Sequence, residues 1–591
     1  MILQTLCAYY DRKQQSPDTA LAPYGFEEKG IPFVIVLDEA GHFILLADER
    51  DNDNEKLTAK IFLVPKAKGR SGAKSYETAN CLWDHYGYIV AQPKLDKPDQ
   101  NPGDKAIELA NNQKNSFTSL VESLVNDLPD EVGVNAVWHF LNSEEEIEKV
   151  KQSDQWQEVL KIKGCNLSFR LVSQSHLICQ SEPVIAWVKN QPVDEKDIKQ
   201  GLCLVTGESA QVARLHGQIA GVNQKPAPLA AINDDAYNSF NKLKGFNFPV
   251  GVEADFKYTT SLNYLLRKNS KTKFRLNDTS YVCWSDKNNA LESNFALFFT
   301  DAVDDPDKGT EAVKSLFSTL HNGAYTASNG SDRFYVLGLS PNSARIAIRF
   351  WQAGTVAEFS ERLGRWFEDL TIVDVDHYGL PKLKGLLRSV ALLGDDKNLP
   401  PNLASDISRA VLSGLPLPDI AIHSVMRRIR AEQGGAKYTR DNYYRACLIK
   451  AYLNRKYRLT NASDKEINVS LNIKESRIGY RLGRLFAVLE KLQKDAQGET
   501  NTTIRDRYYS SASCTPKSVF GTLMRMHAHH LKKLDKRERR NAEEVEDRIG
   551  EIMGQIEVFP AHLKLEDQGL FAVGYYHQKQ DLYPQKTDQG E

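Results

Sequence analysis

The chain has 591 residues, of which 41% are apolar and 26% charged, with 36 glycines and 23 prolines. This length exceeds the roughly 250 to 300 residues at which one hydrophobic core stops growing, and the composition excludes collagen-like, mucin-like and broadly disordered chains. A formal net charge of −1 carries no global basic signature, so any nucleic-acid partner must be argued from local charge.

The eight cysteines (Cys7, Cys81, Cys165, Cys179, Cys203, Cys283, Cys447, Cys514) are scattered without a CxxC pair. That excludes a zinc ribbon or disulfide framework and predicts reduced thiols in a cytoplasmic protein. The opening MILQTLCAYYDRK has neither a basic leader nor a cleavage pattern, and no apolar run approaches the roughly 20 residues of a membrane helix. No membrane, metal or cofactor site is expected.

The expected fold class is α+β. From residue 1 to about 380, IPFVIVLD, GHFILLAD, KIFLVP, LSFRLV, PVIAWV, SYVCWS and ALFFTD read as short strands. Helical spacing is predicted over 109–128 and 308–321, and several inter-strand turns are too short for parallel crossovers. FYVLGLSPNSARIAIRFW (334–351) predicts a hairpin turning at Pro-Asn and feeding the helix VAEFSERLGRWFEDL. The acidic runs DERDNDNE (48–55) and DAVDDPDKGTE (301–311) read as solvated loops, since Pro306 and Lys308 spoil a calcium loop.

Beyond about residue 380 helix-spaced apolar residues take over, and strand-like character returns only in the last twenty residues. The predicted organisation is 1–380 as the α+β part, 381–464 as a basic helical connector and 465–591 as a helical bundle. Its stripes are Leu482, Leu485, Phe486, Leu489 and Leu492; Val519, Phe520, Leu523 and Met526; and Val545, Ile549, Ile552 and Ile556.

Two segments concentrate positive charge. KIFLVPKAKGRSGAKSYE (60–77) carries Lys60, Lys66, Lys68, Arg70 and Lys74 against Glu77 alone. It imitates a phosphate-binding P-loop, but Ala73 stands where that motif needs glycine before the lysine. Candidate DNA contacts are Lys66, Lys68, Arg70 and Lys74 on phosphates, with Ser71 and Asn80 on base edges. The following Trp83-Asp84 pair and its aromatic run could pack this loop against the core.

The second segment, Val425 to Thr460, holds ten Lys/Arg against Glu432 and Asp441, with tyrosines interleaved, a pattern suited to a strand or hybrid backbone. Its candidates are Arg427, Arg428, Arg430, Lys437, Arg440, Arg445, Arg455 and Lys456. KKLDKRERR (532–540) is followed by EEVED and reads as intrahelical pairing, while His527, His529 and His530 lack a ligand set for a metal. No catalytic motif appears, so no catalytic residue is named. The alternative, a metal-dependent nuclease or nucleotide-dependent enzyme, has only the P-loop imitation behind it.

Six stretches in order resemble one family: MILQTLCAYYD, CLVTGESAQVARLHGQIAGV (203–222), NFPVGVEADFKYTTSLNYLL (247–266) followed by VCWSD, FYVLGLSPNSARIAIRFW, GYRLGRLFAVLEKLQ (479–493) and FAVGYYHQKQDLY (571–583). Together they resemble, along the whole chain, the Csd family of CRISPR-associated proteins, large subunits of type I-C Cascade surveillance complexes. The chain departs from it at Ser239, Phe240, Asn241, where the family typically has Ser-Tyr-Gly.

The resemblance implies a non-enzymatic subunit that reads the protospacer-adjacent motif in double-stranded target DNA, while guide RNA pairing reads the rest. It implies Cascade backbone and crRNA-end subunits as partners, and a recruited helicase-nuclease. It also implies a separate small subunit from internal translation, starting near residues 465–475. With no Met between Met426 and Met524, that start would need a non-AUG codon.

Overall fold

In the computed structural model, the structure describes residues 1–15, 21–53, 56–67, 70, 74–94, 102–191, 199–232, 235–268, 270–299, 315, 330–343, 345–432, 439–498, 502–535 and 539–583. The chain forms two compact units, one of Met1–Gly217 with Ala231–Leu262 and one of Gln218–Ala230 with the chain from Asn263 onward. The architecture is mixed α+β, with small sheets in the N-terminal half and helices dominating the C-terminal part.

The first unit opens with α1 (Ile2–Gln14) and β1 (Phe26–Gly30), followed by β2 (Phe33–Leu37), β3 (Phe43–Asp48), β4 (Arg50–Asp53), β5 (Lys56–Ala59) and β6 (Ile61–Pro65). Next come β7 (Trp83–His85), α2 (Tyr86–Val90), α3 (Asp104–Asp127), α4 (Val132–Asn142), α5 (Glu144–Lys151), α6 (Trp156–Lys161), β8 (Asn166–Leu171) and α7 (Glu182–Asn190). The main sheet has order β3-β2-β8-β7, with β2 and β8 parallel and the outer pairs antiparallel. Every residue of β2 is buried, as the uninterrupted FVIVL run requires of a central strand covered on both faces. Phe169 of β8 meets Phe117 of α3 and Phe140 of α4, with ring centroids 6.2 and 5.9 Å apart, so these helices cover the sheet. A second ribbon pairs β1 with β6, and β9 (Lys199–Leu202) pairs with β10 (Ser209–Val212).

Three short runs differ from the expectation. PVIAWV lies in the helix α7, because Ser181 and Glu182 start a helix in which Pro183 occupies the first turn, where its missing N–H is harmless. DERDNDNE is not all loop: β4 falls within it and pairs antiparallel with β5. ALFFTD begins in a 3₁₀ turn, Phe295–Phe298, that continues the helix α9 (Ala290–Asn294), whose Asn289 cap accepts from Glu292 N–H at 3.0 Å. The helix expected over 308–321 and the loop over 301–311 lie outside the described residues, Ser315 apart.

Helix α8 (Val252–Leu266) carries the chain toward the second unit, where β11 (Gln218–Ile219) and β12 (Ala227–Pro228) already belong. There β13 (Lys273–Leu276), β14 (Thr279–Ser285), β15 (Arg333–Asn342) and β16 (Arg345–Thr355) form an antiparallel meander. The expected hairpin is present, but Pro341 and Asn342 still pair across it and Ser343, at φ 53°, sits in the turn. It feeds α10 (Val356–Leu370) through a reciprocal cap, in which Thr355 and Glu358 each accept the other's backbone N–H.

The rest is helical: α11 (Leu383–Val390), α12 (Leu403–Ser413), α13 (Asp419–Ala431), α14 (Thr439–Leu459), α15 (Ile478–Gln497), α16 (Ile504–Cys514), α17 (Pro516–Asp535), α18 (Arg539–Met553) and α19 (Leu565–Leu582). The apolar stripe of α15 is buried as expected, and α15 touches α16, α17, α18 and α19. In the third stripe Ile556 lies beyond the end of α18. The strand-like ending is overturned: FAVGYYHQKQDL is helical, and every residue from Gly569 to Gln578 is buried. A helix covered on all sides has no polar face, so its sequence shows no 3.6-residue alternation.

Glycines set the α15–α19 spacing. A Cβ on Gly483 would stand 2.1 Å from the Phe571 carbonyl oxygen, and one on Gly574 2.3 Å from that of Tyr480. Across the same contact the Tyr480 hydroxyl and His577 Nδ1 are 2.8 Å apart, and Arg484 Nε donates to Gln578 at 3.0 Å. Gly483→Ala is therefore expected to lower unfolding free energy by about 3 kcal/mol. Gly550→Ala in α18, where the added methyl meets nothing within 4 Å, should instead raise it by about 0.5 kcal/mol. Denaturant midpoints at unchanged slope compare the two; equal effects would remove the crossing as the cause.

Candidate nucleic-acid interface

The basic loop leaves β6 at Pro65 and returns through a 3₁₀ turn, Ser75–Glu77, to β7. Its base is held from below. Trp83 Nε1 donates to the Pro65 carbonyl at 2.8 Å, and Tyr88 hydroxyl donates to the Ser75 carbonyl at 3.1 Å. Arg70 donates Nε to the Thr78 carbonyl at 2.7 Å, forks onto the Asp84 carboxylate and lies over the Tyr88 ring at 4.1 Å. Asp84, almost wholly withdrawn from water, also accepts from Asn80 N–H at 3.0 Å and His85 N–H at 2.8 Å.

Burial pushes the Asp84 carboxyl upward, and the Arg70 fork and the two N–H groups pull against it. Lys94 is half-buried near the same carboxylate; burial lowers its pKa, and Asp84 opposes that shift. No spacing signal marks Lys94, because only the fold brings it to Asp84.

The candidates on this loop separate by placement. Lys66 is exposed, with its ammonium 5.0 Å from the Phe256 ring centroid. Lys74 is exposed and 3.4 Å from Glu77, a surface pair that water and salt screen. Arg70 faces inward and positions the loop. Asn80 is 5% exposed. Lys68 and Ser71 lie outside the described residues.

The second basic segment spans α13 and α14, and most of its charge is directed inward. Arg445, 2% exposed, donates to the Ser389 carbonyl at 2.8 Å and pairs with Glu432 at 2.6 Å; Arg428 shares that carboxylate. Arg455 donates to the carbonyls of Leu415 at 2.6 Å and Ala410 at 2.9 Å, and burial lowers its pKa to about 10. Arg458 bridges Asp369 and Glu466, both at 2.7 Å, while Lys450 donates to the Glu368 and Asp369 carbonyls at the end of α10. Arg430 reaches Gln568, and Lys456 pairs with Glu566 at 2.9 Å. Tyr443, Tyr452 and Tyr457 are core residues. Arg427 and Arg440 are exposed, the latter over the Tyr444 ring at 5.6 Å, and Lys437 lies outside the described residues.

His530 is buried within 2.8 Å of Gln497 Nε2, and no group of three or more potential metal ligands occurs among the described residues. None of the eight cysteines forms a disulfide, and no helix of the described residues is long and apolar enough to cross a membrane.

Two measurements probe the loop's foundation. Arg70→Ala strands a buried carboxylate and should cost about 3 kcal/mol of stability, largely restored by adding Asp84→Asn, whereas Lys66→Ala should shift it by less than about 0.5 kcal/mol. Failure of the double variant to recover would remove the pair from this role. Separately, burial, Lys94 and Arg70 lower the His85 pKa from 6.5 to about 3. The unfolded chain then binds the extra proton first, so this contribution to stability is complete above pH 6.5 and is lost as pH falls toward 3. His85 caps α2 by accepting from Gly87 N–H at 3.0 Å, a bond that asparagine can reproduce. His85→Asn should therefore flatten the acid limb of the stability–pH curve; an unchanged limb would contradict the assignment.

No curated protein matches the chain. The family model for CRISPR-associated protein Cas_Csd1 matches residues 6–583, essentially the whole described chain. With that match the protein belongs to the Csd1 family of CRISPR-associated proteins, components of Cascade complexes that have nucleic acid as partner.

Proposed function

We propose that this chain is the large subunit of a type I-C Cascade complex, and that its first unit grips duplex DNA beside the target through the loop between β6 and β7. The observation that carries this reading is the pairing of roles within the loop. Arg70 is locked to Asp84 and to the Thr78 carbonyl, while Lys66 and Lys74, before and after it in the chain, stand in solvent. An anchored loop presenting unburied ammonium groups attracts phosphates without the ordering cost of a free one. Lys68 and Ser71 belong to the same proposed contact. Asn80 acts in this reading mainly by holding the strand entry, through its N–H on Asp84.

In the second unit Arg427 and Arg440 are the cations best placed to meet displaced strand or hybrid backbone. Arg428, Arg430, Arg445, Arg455 and Lys456 support the helices that carry them. The subunit thus recognises the protospacer-adjacent motif, assists duplex opening, steadies the R-loop and supports recruitment of the helicase-nuclease. It performs no chemistry of its own. Guide RNA, target DNA, backbone and crRNA-end subunits and an internally translated small subunit complete the proposed assembly.

Lys66→Ala with Lys74→Ala is expected to weaken binding of duplex carrying the flanking motif and to reduce the salt slope by about 0.9 per lost phosphate contact. Arg455→Lys should act through stability instead. Target affinity of the assembled complex, measured with and without this chain across a salt series, checks both. Identical affinity in its absence would leave a scaffold, and metal-dependent cleavage by the isolated chain would replace the reading with an enzyme.

A further inference from the structure

Phe240 is the most exposed large apolar side chain among the described residues, at 92%. It stands at the tip of a two-residue hairpin in which Ser239 and Lys242 form a bridge and Lys242 N–H donates to the Ser239 carbonyl at 2.9 Å. Both tip residues are left-handed, Phe240 at φ 51° and Asn241 at φ 55°. Such turns favour Asn-Gly, and a bulky side chain at positive φ is disfavoured. Neither backbone preference nor burial therefore accounts for phenylalanine here.

The surrounding structure holds the tip in place. The Asn247 side chain accepts from Ser239 N–H at 2.8 Å and donates to the carbonyls of Lys242 at 2.6 Å and Lys244 at 2.9 Å. Gly245 N–H donates to the Arg214 carbonyl at 3.0 Å, and a Cβ on Gly245 would lie 2.5 Å from the Ala213 carbonyl oxygen. The hairpin is thus clamped from inside and seated on neighbouring backbone. A strained conformation maintained by this many bonds, with a large ring left in water, marks a contact surface.

Its charge selects the partner. Lys242 and Lys244 are exposed, neither has a carboxylate within salt-bridge distance among the described residues, and no Asp or Glu occurs from Ala236 to Val252. A rigid aromatic ring beside free ammonium groups matches a polyanion that also offers flat π-faces.

We propose that the 239–242 hairpin is a base-stacking knuckle, in which Phe240 takes the face of a nucleobase while Lys242 and Lys244 hold the adjoining phosphates. This rests on the nucleic-acid reading above and adds a second contact to it, independent of the β6–β7 loop. The base comes from a single strand or from a duplex step that the ring opens.

The test uses full-length chain, alone and in the assembled complex, with single-stranded and duplex oligonucleotides carrying 2-aminopurine. Phe240→Ala should retain the parent melting temperature, weaken binding by about 5- to 100-fold and relieve the fluorescence change of the probe base, with the salt slope unaltered. Phe240→Tyr should bind as the parent does. Lys242→Ala with Lys244→Ala should lower the salt slope. Loss on the single strand alone identifies an unpaired base, and loss on the duplex a wedged step. Parent-like affinity and fluorescence for Phe240→Ala overturn the knuckle, even if Lys66→Ala with Lys74→Ala still weakens binding and the wider reading survives. If neither set alters binding, that wider reading falls as well. Release of a protein subunit by Phe240→Ala, with nucleic-acid affinity intact, overturns the proposal in favour of protein docking.

Discussion

A carboxylate withdrawn from water has first claim on the cations around it, and this governs which charges of the protein can face outward. Asp84 and Asp369 are both buried, and each is met by arginine: Arg70 for the first, Arg458 and the more distant Arg455 for the second. Leaving either carboxylate unpaired in the interior would cost several kcal/mol, on the order of the net stability margin of a domain. The guanidinium fork suits this task because its planar donors satisfy both carboxylate oxygens and still reach backbone carbonyls. Positive charge in this sequence therefore does two jobs. Arginine largely builds the interior, and the lysines of the loops are left for solvent and for whatever polyanion arrives.

This division is visible at the base of the β6–β7 loop. A loop rich in glycine and lysine offers few apolar side chains to bury, and so has little reason of its own to hold one path. Trp83, Asp84 and Tyr88, all from the strand and helix that follow, supply that constraint at its base. The 239–242 hairpin obtains the same result by a different route, with one asparagine side chain bridging three backbone groups. In both cases an exposed feature depends on side-chain hydrogen bonds to the backbone beside it.

The helical part rests on close approach rather than on charge. Where α15 meets α19, glycines bring the two backbones together, and Tyr480, His577, Arg484 and Gln578 pair across the gap. The side chains of Tyr480, His577, Arg484 and Gln578 each find a partner inside this contact. With no polar face to mark a 3.6-residue period, the sequence of α19 reads as strand-like although it is helical.

The class of the fold, the strands β2, β3, β6, β8 and β14, the hairpin feeding α10 and the stripe of α15 are legible in the sequence, because each depends on local periodicity or a local cap. Six ordered stretches of the sequence also point to the family that the whole-chain match shows. PVIAWV, ALFFTD and the C-terminal helix read as strands in sequence but are helical or in a 3₁₀ turn, where a cap or all-round burial outweighs β-forming side chains. Where the cations point follows from packing between distant segments. A run of ten basic residues looks the same in sequence whether its arginines meet solvent or the carbonyls and carboxylates of distant helices, and Ser389, Glu432, Ala410 and Leu415 are brought to Arg445 and Arg455 by packing alone. Charge is a property of residues, whereas its availability depends on what the fold has already placed beside it.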